Sequence, residues 1–415
     1  MGDLVLETII LIVFVISYVG IALGRIPGLA LDRTGIALLG AMAMVFIGAM
    51  PTEEALRTID VPTILLLYGL MVLSAQFRLA GFYTWTALKI TGWLNHPRRF
   101  LFALMGTTAL FSAILANDIV CLAFTPVLTV TLARKSLNPL PFLIAVCVAS
   151  NIGSAATIIG NPQNMLIGQV GRLDFLDFFV WNLPVVSLSL MGAYGLIILL
   201  SRNRTTLKKP LMEGAPGENW PAFDGHQARK GLFYTVLLIG LFFSPIPRHV
   251  TALAVAGCLL CSRRMKTRSI LGLVDWHLIT LFCSLFILVG AVERAGLPQL
   301  LMAGASHHAA HITDPYLLTL ISVILSNVTS NVPAVMLLSK FLPAKAETLW
   351  YILAASSTFA GNLVTLGSIA NLIVIEEAAL HGVRISFKEH ARYGIPITVM
   401  SLAVLCAWIG LSKLL

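Results

Sequence analysis

The stretch SNIGSAATIIGNPQN, at Ser150–Asn164, returns in looser form as GNLVTLGSIAN at Gly361–Asn371. Each copy places asparagine, serine and glycine in the middle of a long apolar segment, and the first copy also contains a proline. Glycine and proline interrupt helices, and the backbone groups that they free need other partners. We therefore predict two broken transmembrane helices, over residues 140–170 and 349–380.

The composition requires lipid as the solvent. Of the 415 residues, 58% are hydrophobic and 11% are charged, whereas soluble domains carry roughly 25% charged residues. A crossing takes about 20 apolar residues, and we predict ten crossings, near 4–24, 34–50, 61–85, 140–170, 175–201, 231–246, 249–262, 270–296, 349–380 and 394–412. The net charge is +9, but the basic residues do not form a basic domain. We therefore expect no nucleic-acid partner.

Two further apolar segments, 100–133 and 315–343, are too long for one crossing and are polar in the middle. Backbone can turn at membrane depth only where protein or a watery cavity satisfies its polar groups. We predict that each segment is a re-entrant helical hairpin, which enters and leaves the membrane on the same side.

Four motif pairs recur in order along the chain and define an internal repeat. Asp60–Phe82 matches Asp275–Leu297, and SAILAN at Ser112–Asn117 matches SVILSN at Ser322–Asn327. The opening pair contains the other two matches, Asn151 with Asn362 and Gly160–Asn164 with Gly367–Asn371. The predicted organisation is an extra N-terminal span (1–33), a first repeat (34–201), a linker with a connecting span (202–248) and a second repeat (249–415).

The basic residues give the orientation. With the N-terminus outside, 20 of the 28 Lys and Arg residues fall in inside loops and six fall outside, as the positive-inside rule requires. The loop at 202–230 then lies in the cytoplasm and the protein lies in the cytoplasmic membrane. The two repeats start on opposite sides, so they are inverted. Inverted repeats with broken helices are typical of secondary transporters, whose site lies between the halves.

The candidate solute-binding residues are the polar side chains beside the predicted helix breaks. The set is Asn117, Ser150, Asn151, Asn164, Ser326, Asn327, Asn331, Asn362 and Asn371. Such side chains often only bond a neighbouring helix, but their recurrence at matched offsets favours a site. We expect the repeat to bring Asn117 opposite Asn327, and Asn151 opposite Asn362, near mid-membrane.

Asp118 is the sharpest single candidate, because an ionisable group within an apolar segment is costly and by default functional. No Lys or Arg lies within its hairpin arms. We expect it to take up a proton, coordinate a cation or meet a basic group from elsewhere. The alternative is that it caps the second hairpin arm, which is the role we expect for Asp60 and Asp275 at the starts of their spans.

These motifs, with AND at Ala116–Asp118 and SNVTSNVP at Ser326–Pro333, resemble the ion-transporter superfamily with the citrate-transporter-like domain. The resemblance covers essentially the whole chain. It implies an elevator mechanism, in which a domain of hairpins and broken helices slides against a scaffold, and it implies homodimers.

The resemblance also bears on the substrate. Divalent-anion symporters carry Ser-Asn-Thr in each half, whereas here Ile152, Val328 and Val332 follow the Ser-Asn pairs. The Asn-Asp hairpin tip is similar to that of arsenite permeases, which favours arsenite-type efflux coupled to protons through Asp118. Sodium- or proton-coupled transport of di- or tricarboxylates or of an inorganic anion, and sodium/proton antiport, remain alternatives.

Two classes outside secondary transport are disfavoured. An enzyme would need a nucleophile, a metal set or an acid–base pair, and the sequence shows no such motif. An ion channel usually repeats its pore segments by rotation rather than by inversion. We therefore predict a transporter without a catalytic residue, resident metal or cofactor, whose partners are a small anion or oxyacid, a proton or sodium ion, and the bilayer.

Overall fold

The computed structural model describes residues 2–24, 28–202, 221–296 and 313–412, and these segments are mostly helical. The first half contains α1 (Gly2–Leu23), α2 (Arg33–Phe46), α3 (Thr52–Thr58), α4 (Val61–Leu79), α5 (Phe82–Thr91), α6 (Pro97–Ile114), α7 (Asn117–Arg134), α8 (Leu140–Ser154), α9 (Pro162–Val170) and α10 (Phe175–Ser201). The second half contains α11 (Gly225–Leu241), α12 (Arg248–Leu260), α13 (Thr267–Leu271), α14 (Trp276–Arg294), α15 (Pro315–Thr329), α16 (Asn331–Leu338), α17 (Glu347–Ala360), α18 (Ile369–Leu380) and α19 (Phe387–Ser412).

The surface and the helix lengths are those of a multi-pass membrane protein, as the composition predicts. Among the described residues, α1, α4, α7, α10, α14 and α19 are long and apolar enough to cross a membrane. Large apolar side chains lie open on the outer helix faces, for example Met191 at 69% exposed and Val236 at 70%. A soluble surface does not gather such side chains into continuous bands.

Both hairpins and both broken helices are confirmed. The arms α6 and α7 pack together and are separated only by residues 115–116, while α15 and α16 are separated by Ser330. Ser330 has a φ of +79°, a conformation that favours glycine. The broken helices are interrupted between α8 and α9 and between α17 and α18, where a short 3-10 turn lies at Thr365–Gly367.

The two repeats pack on each other reciprocally. Helix α4 packs on α12, and its counterpart α14 packs on α2, while α10 and α19 pack on each other. The second arm of each hairpin also contacts the second half of the other repeat's broken helix, α7 on α18 and α16 on α9. From the start of α2 to the start of α12 the chain crosses five times, through α2, α4, the broken helix α8–α9, α10 and α11, and an odd number makes the repeats inverted.

Helices α1 and α11 occupy similar places in the two halves, since α1 packs against α2 and α11 packs against α12. The domain bounds given above remain a prediction. This packing favours extending each repeat by one helix, so that α1 belongs to the first repeat and α11 to the second.

Aspartates fix the starts of two central spans. The Asp60 carboxylate accepts a hydrogen bond from the Thr63 amide at 2.8 Å, and Asp275 accepts one from the Leu278 amide at 2.9 Å. Both are helix N-caps, which confirms the role predicted for them.

The first hairpin packs on α8 through a glycine. A Cβ added at Gly153 would lie 2.7 Å from the Ala109 Cβ and closer still to the α6 backbone. Overpacking of this kind costs about 1–3 kcal/mol. We expect Gly153→Ala to lower the thermal unfolding midpoint of the purified protein. Gly106→Ala, where a Cβ meets open space, is the matched control, and an equal loss in both variants would contradict this packing.

Candidate functional site

A chain of buried amides joins the two broken helices. Asn151 on α8 donates through Nδ2 to the Asn362 Oδ1 at 2.9 Å and to the Asn371 Oδ1 at 3.1 Å. Its own Oδ1 accepts a hydrogen bond from the Ser368 hydroxyl at 2.9 Å. The expectation that Asn151 and Asn362 lie opposite each other is met by this direct contact between the repeats.

Backbone hydrogen bonds fix the orientation of the Asn371 amide, and the orientations of the Asn151 and Asn362 amides follow from it. Asn371 donates through Nδ2 to the carbonyls of Gly361 and Val364, so its Oδ1 must be the acceptor that faces Asn151. Asn151 therefore donates through Nδ2 to both asparagines, and Asn362 must accept this hydrogen bond through Oδ1. The Nδ2 of Asn362 is left as a buried donor without a partner.

A corresponding arrangement lies on the other side of the pseudo-two-fold axis. Asn164 donates through Nδ2 to the carbonyls of Ser154 and Thr157, as Asn371 does to Gly361 and Val364. Asn161 donates to the Thr358 hydroxyl at 3.2 Å.

These bonds set the register of the repeat at the breaks, because Asn164 and Asn371 hold equivalent carbonyls. In this register the residue that corresponds to Asn151 is Thr358, since α8 begins at Leu140 and α17 at Glu347. Asn151 and Asn362 thus touch without being equivalent residues.

The hairpin tips need a similar correction. Asn117 is the first residue of α7 and Asn331 is the first residue of α16, so these two correspond. The sequence match had paired Asn117 with Asn327. That pairing is wrong because α15 continues helically to Thr329 and carries Asn327 in its last turn.

Both tips join the network of the broken helices. The Ser150 hydroxyl accepts a hydrogen bond from Ser112 and donates to the Asn117 carbonyl at 3.4 Å. Asn327 donates to the Ala360 carbonyl at 3.2 Å. With its amide nitrogen turned toward them, Asn331 donates to the carbonyls of Ser357 and Gly367 at 3.1 Å. The two hairpin tips and the two helix breaks therefore form one connected polar region.

This region contains buried polar atoms that lack a protein partner. Among the described residues they include Asn117 Oδ1, Asn164 Oδ1, Ser326 Oγ, Asn327 Oδ1 and Asn362 Nδ2. Each belongs to a residue that the sequence singled out. An unpartnered buried polar group costs about 1–3 kcal/mol, and a polar solute bound in this region would supply partners to these atoms.

Asp118 lies beside this network in a cavity of about 220 Å³. The cavity wall includes Ala116 at the hairpin tip and Pro162 at the start of α9, together with Arg78 and Asp275. Asp118 is not a cap, because Ala116 is the N-cap residue of α7 and no side chain caps this helix. The capping alternative is therefore wrong for this residue.

The prediction from sequence missed several residues of this region. Asn161 and Ser368 lie at the helix breaks but are not among the candidate solute-binding residues, although the residue before a helix restart is a natural cap. Thr358 is the last of three consecutive hydroxyl residues, Ser356–Thr358, and nothing in the sequence distinguishes it from the other two. Arg78 did carry one, since it is a charge within a predicted span.

The fold and this connected polar region define a class of protein. A multi-pass helical protein with inverted repeats, paired hairpins and broken helices that meet in a polar region is a transporter. The sequence profile described as citrate transporter (CitMHS) matches residues 9–360. The chain belongs to the citrate transporter family, within the ion-transporter superfamily, and it is a transporter rather than an enzyme.

Relatives of known name agree with this class. The chain is 29% identical to a 46 kDa membrane protein of Mycobacterium leprae, over 99% of each chain. It is 28% identical to silicon efflux transporter LSI3 of Oryza sativa subsp. japonica, over 93% of this chain and 94% of the relative. It is 25% identical to putative transporter arsB of Dictyostelium discoideum, over 95% and 90%.

The same fold has been seen in a crystal structure. The Alcanivorax borkumensis YdaH transporter superposes with a TM-score of 0.53 at 15% sequence identity, covering 99% of this chain and 98% of that one. At this identity the likeness concerns the fold alone.

Proposed function

We propose that the protein is a secondary active transporter that exports a small uncharged oxyacid of the arsenite type in exchange for protons. The observation that carries this proposal is the chemistry of the unpartnered atoms. The amide oxygens of Asn164 and Asn327 are fixed as acceptors, because the nitrogens of both residues donate to backbone carbonyls. A solute with several O–H groups supplies the donors that these oxygens lack.

The names of two relatives support the same solute class. One is named a silicon efflux transporter and another a putative transporter arsB. Dissolved silicon and trivalent arsenic are both uncharged hydroxy acids at neutral pH. A network of amides and hydroxyls suits such solutes, because it places no fixed charge against them.

A carboxylate substrate is the competing candidate. The family profile is described as citrate transporter, and Arg78 lines the cavity that adjoins the network. A guanidinium binds carboxylates through two parallel hydrogen bonds. Ionised citrate, however, offers mainly acceptors, which leaves the amide oxygens without donors.

Uptake into proteoliposomes separates these substrates. The panel is arsenite, silicic acid, citrate, a dicarboxylate and an inorganic anion, each tested with an acidic lumen, with a sodium gradient and with neither. We expect the acidic lumen to drive accumulation of arsenite or silicic acid, because an antiporter exchanges lumenal protons for external solute. Accumulation of citrate alone, or a response to sodium alone, would overturn the proposal.

We further propose an elevator movement in a homodimer of the cytoplasmic membrane, with the N-terminus outside. The hairpins, the broken helices, α10 and α19 would form the moving body, and α1–α5 with α11–α14 the frame. The polar contacts between these bodies in the described conformation include two that involve charged side chains. Arg248 on α12 donates to the carbonyls of Gly168 and Leu173, and Lys340 pairs with Glu293 at 2.6 Å.

Crosslinking tests this movement. In a variant without the six native cysteines, Lys340→Cys with Glu293→Cys is joined by a short, reducible bifunctional thiol reagent. We expect solute exchange to slow at least tenfold and to recover on reduction, since one conformation is locked. The control pair, Glu54→Cys with Arg294→Cys, replaces an ion pair between α3 and α14 within the frame. Unchanged exchange in a fully crosslinked Lys340–Glu293 pair would contradict the elevator.

A further inference from the structure

Three packed helices, α6, α8 and α10, line an open cavity of about 440 Å³ at the end of the molecule where α6 and α8 begin and α10 ends. Its wall contains three arginines, Arg98, Arg99 and Arg202. Within the described segments none of the three forms an ion pair. The lining includes no acidic residue. A cavity whose three guanidinium groups have no acidic partner among the described residues attracts an anion.

The same wall becomes apolar one helical turn deeper. Leu101 follows Arg98 by three positions, and Ile198 precedes Arg202 by four, so each lies on the face of its arginine. Phe142 on α8 completes the apolar part of the lining. The occupant must therefore match a cationic outer end and an apolar inner part.

A second cavity adjoins the first and shares two of the arginines. It is lined by Trp93, His96, Arg98, Arg99, Phe102 and Tyr194. Trp93 is 56% exposed and Phe102 is 64% exposed. Tryptophan and tyrosine gather at the level of lipid headgroups, which places the arginines at that level as well.

The fold does not require these arginines. In the second repeat the corresponding helix α15 starts after Asp314, whose carboxylate accepts hydrogen bonds from the Tyr316 and Leu317 amides. Helix α17 starts with Glu347. In the first repeat His96 takes the place of Asp314 and its side chain makes no cap hydrogen bond. The basic cavity is therefore a property of one repeat and of one side of the membrane.

We propose that this cavity binds the headgroup of one anionic phospholipid of the cytoplasmic leaflet. The phosphate lies among Arg98, Arg99 and Arg202, and an acyl chain runs along the half-buried Ile198. A guanidinium grips phosphate oxygens in pairs, which a lysine cannot do. Free phosphate shares the anionic chemistry but makes no use of the apolar inner wall, so a lipid is the occupant that the whole lining fits.

The test measures lipid binding to the purified full-length protein in a neutral detergent. Phosphatidylglycerol, phosphatidylcholine and inorganic phosphate are titrated separately, and the thermal midpoint and the lipid bound per chain by native mass spectrometry are recorded. The triple variant Arg98→Gln, Arg99→Gln, Arg202→Gln is compared with Arg263→Gln, Arg268→Gln, Arg384→Gln, which removes the same charge from exposed residues elsewhere. A triple Arg→Lys variant at the cavity keeps the charge.

We expect phosphatidylglycerol, and not phosphatidylcholine, to stabilise the parent and the control. Its affinity should fall on the order of a hundredfold in the triple Gln variant, since each basic group near a membrane contributes about a factor of five. The Lys variant, which retains the folded cavity, should bind with intermediate affinity. Equal phosphatidylglycerol binding by all variants, no response of the parent, or equal stabilisation by inorganic phosphate would each overturn the proposal.

Discussion

Asn151→Ala is expected to reduce solute transport by roughly a hundredfold while the folded protein remains in the membrane. The substitution removes two donated hydrogen bonds and one accepted bond. It leaves Asn362, Asn371 and Ser368 without their shared partner, so the polar groups that we assign to the solute lose their fixed orientation. Asn362→Ala should have a similar effect, because it also removes the free Nδ2 that we assign to the solute.

The loss should be specific to transport. Hydrogen bonds between transmembrane helices contribute about 0.6 kcal/mol each on average, so the loss of three stays small against the stability of the fold. Exchange of labelled solute in proteoliposomes gives the rate, and the thermal midpoint gives the stability. The matched control is Asn182→Ala, since Asn182 is equally buried in α10 and donates only within its own helix. Loss of folded protein in both site variants would favour a purely structural role.

Asp118→Asn is expected to remove the driving effect of the proton gradient while downhill exchange of solute continues. A carboxylate must be neutralised before it passes an apolar barrier. Asp118 lies in a cavity that also contains Asp275 and Arg78, where proton uptake changes the charge of the whole cluster. The asparagine variant stays neutral at every pH, so it should cross without a proton.

Counterflow and gradient-driven uptake separate these two effects. In the parent, accumulation should rise as the lumen becomes more acidic than the bath, whereas in Asp118→Asn it should stop at equilibrium at every pH. Asp177→Asn is the control, because Asp177 is exposed near the start of α10. If Asp118→Asn concentrates solute as well as the parent does, the proton has another carrier. A response to sodium and never to pH would replace the proton with sodium.

The fold could be predicted because lipid imposes strong local rules. Crossings need long apolar segments, and interruptions need glycine, proline and polar side chains, so both hairpins and both breaks stand out in the sequence. The register between the two repeats was harder to predict from the sequence. A short motif such as Ser322–Asn327 matches at an offset that ignores how far helix α15 continues, and the structure moves the partner of Asn117 to Asn331.

The site was predictable in its polar residues but not in its contacts. Asparagines beside helix breaks can be recognised in the sequence, and Asn151 does contact Asn362 and Asn371. The contribution of Thr358, and the cavity that Asp118 shares with Arg78, depend on packing between elements far apart in the chain. Such contacts leave no local pattern.

The most direct test of the central claim is to locate the solute itself. Arsenic scatters anomalously, so crystals grown with arsenite identify its position without assumptions about the surrounding density. The account predicts an arsenic peak within the polar region, placed so that the hydroxyl oxygens bound to the arsenic hydrogen-bond to Asn362 Nδ2 and to unpartnered oxygens of the hairpin tips and broken helices. An arsenic peak elsewhere, or an empty polar region in crystals of protein that transports arsenite, would contradict it.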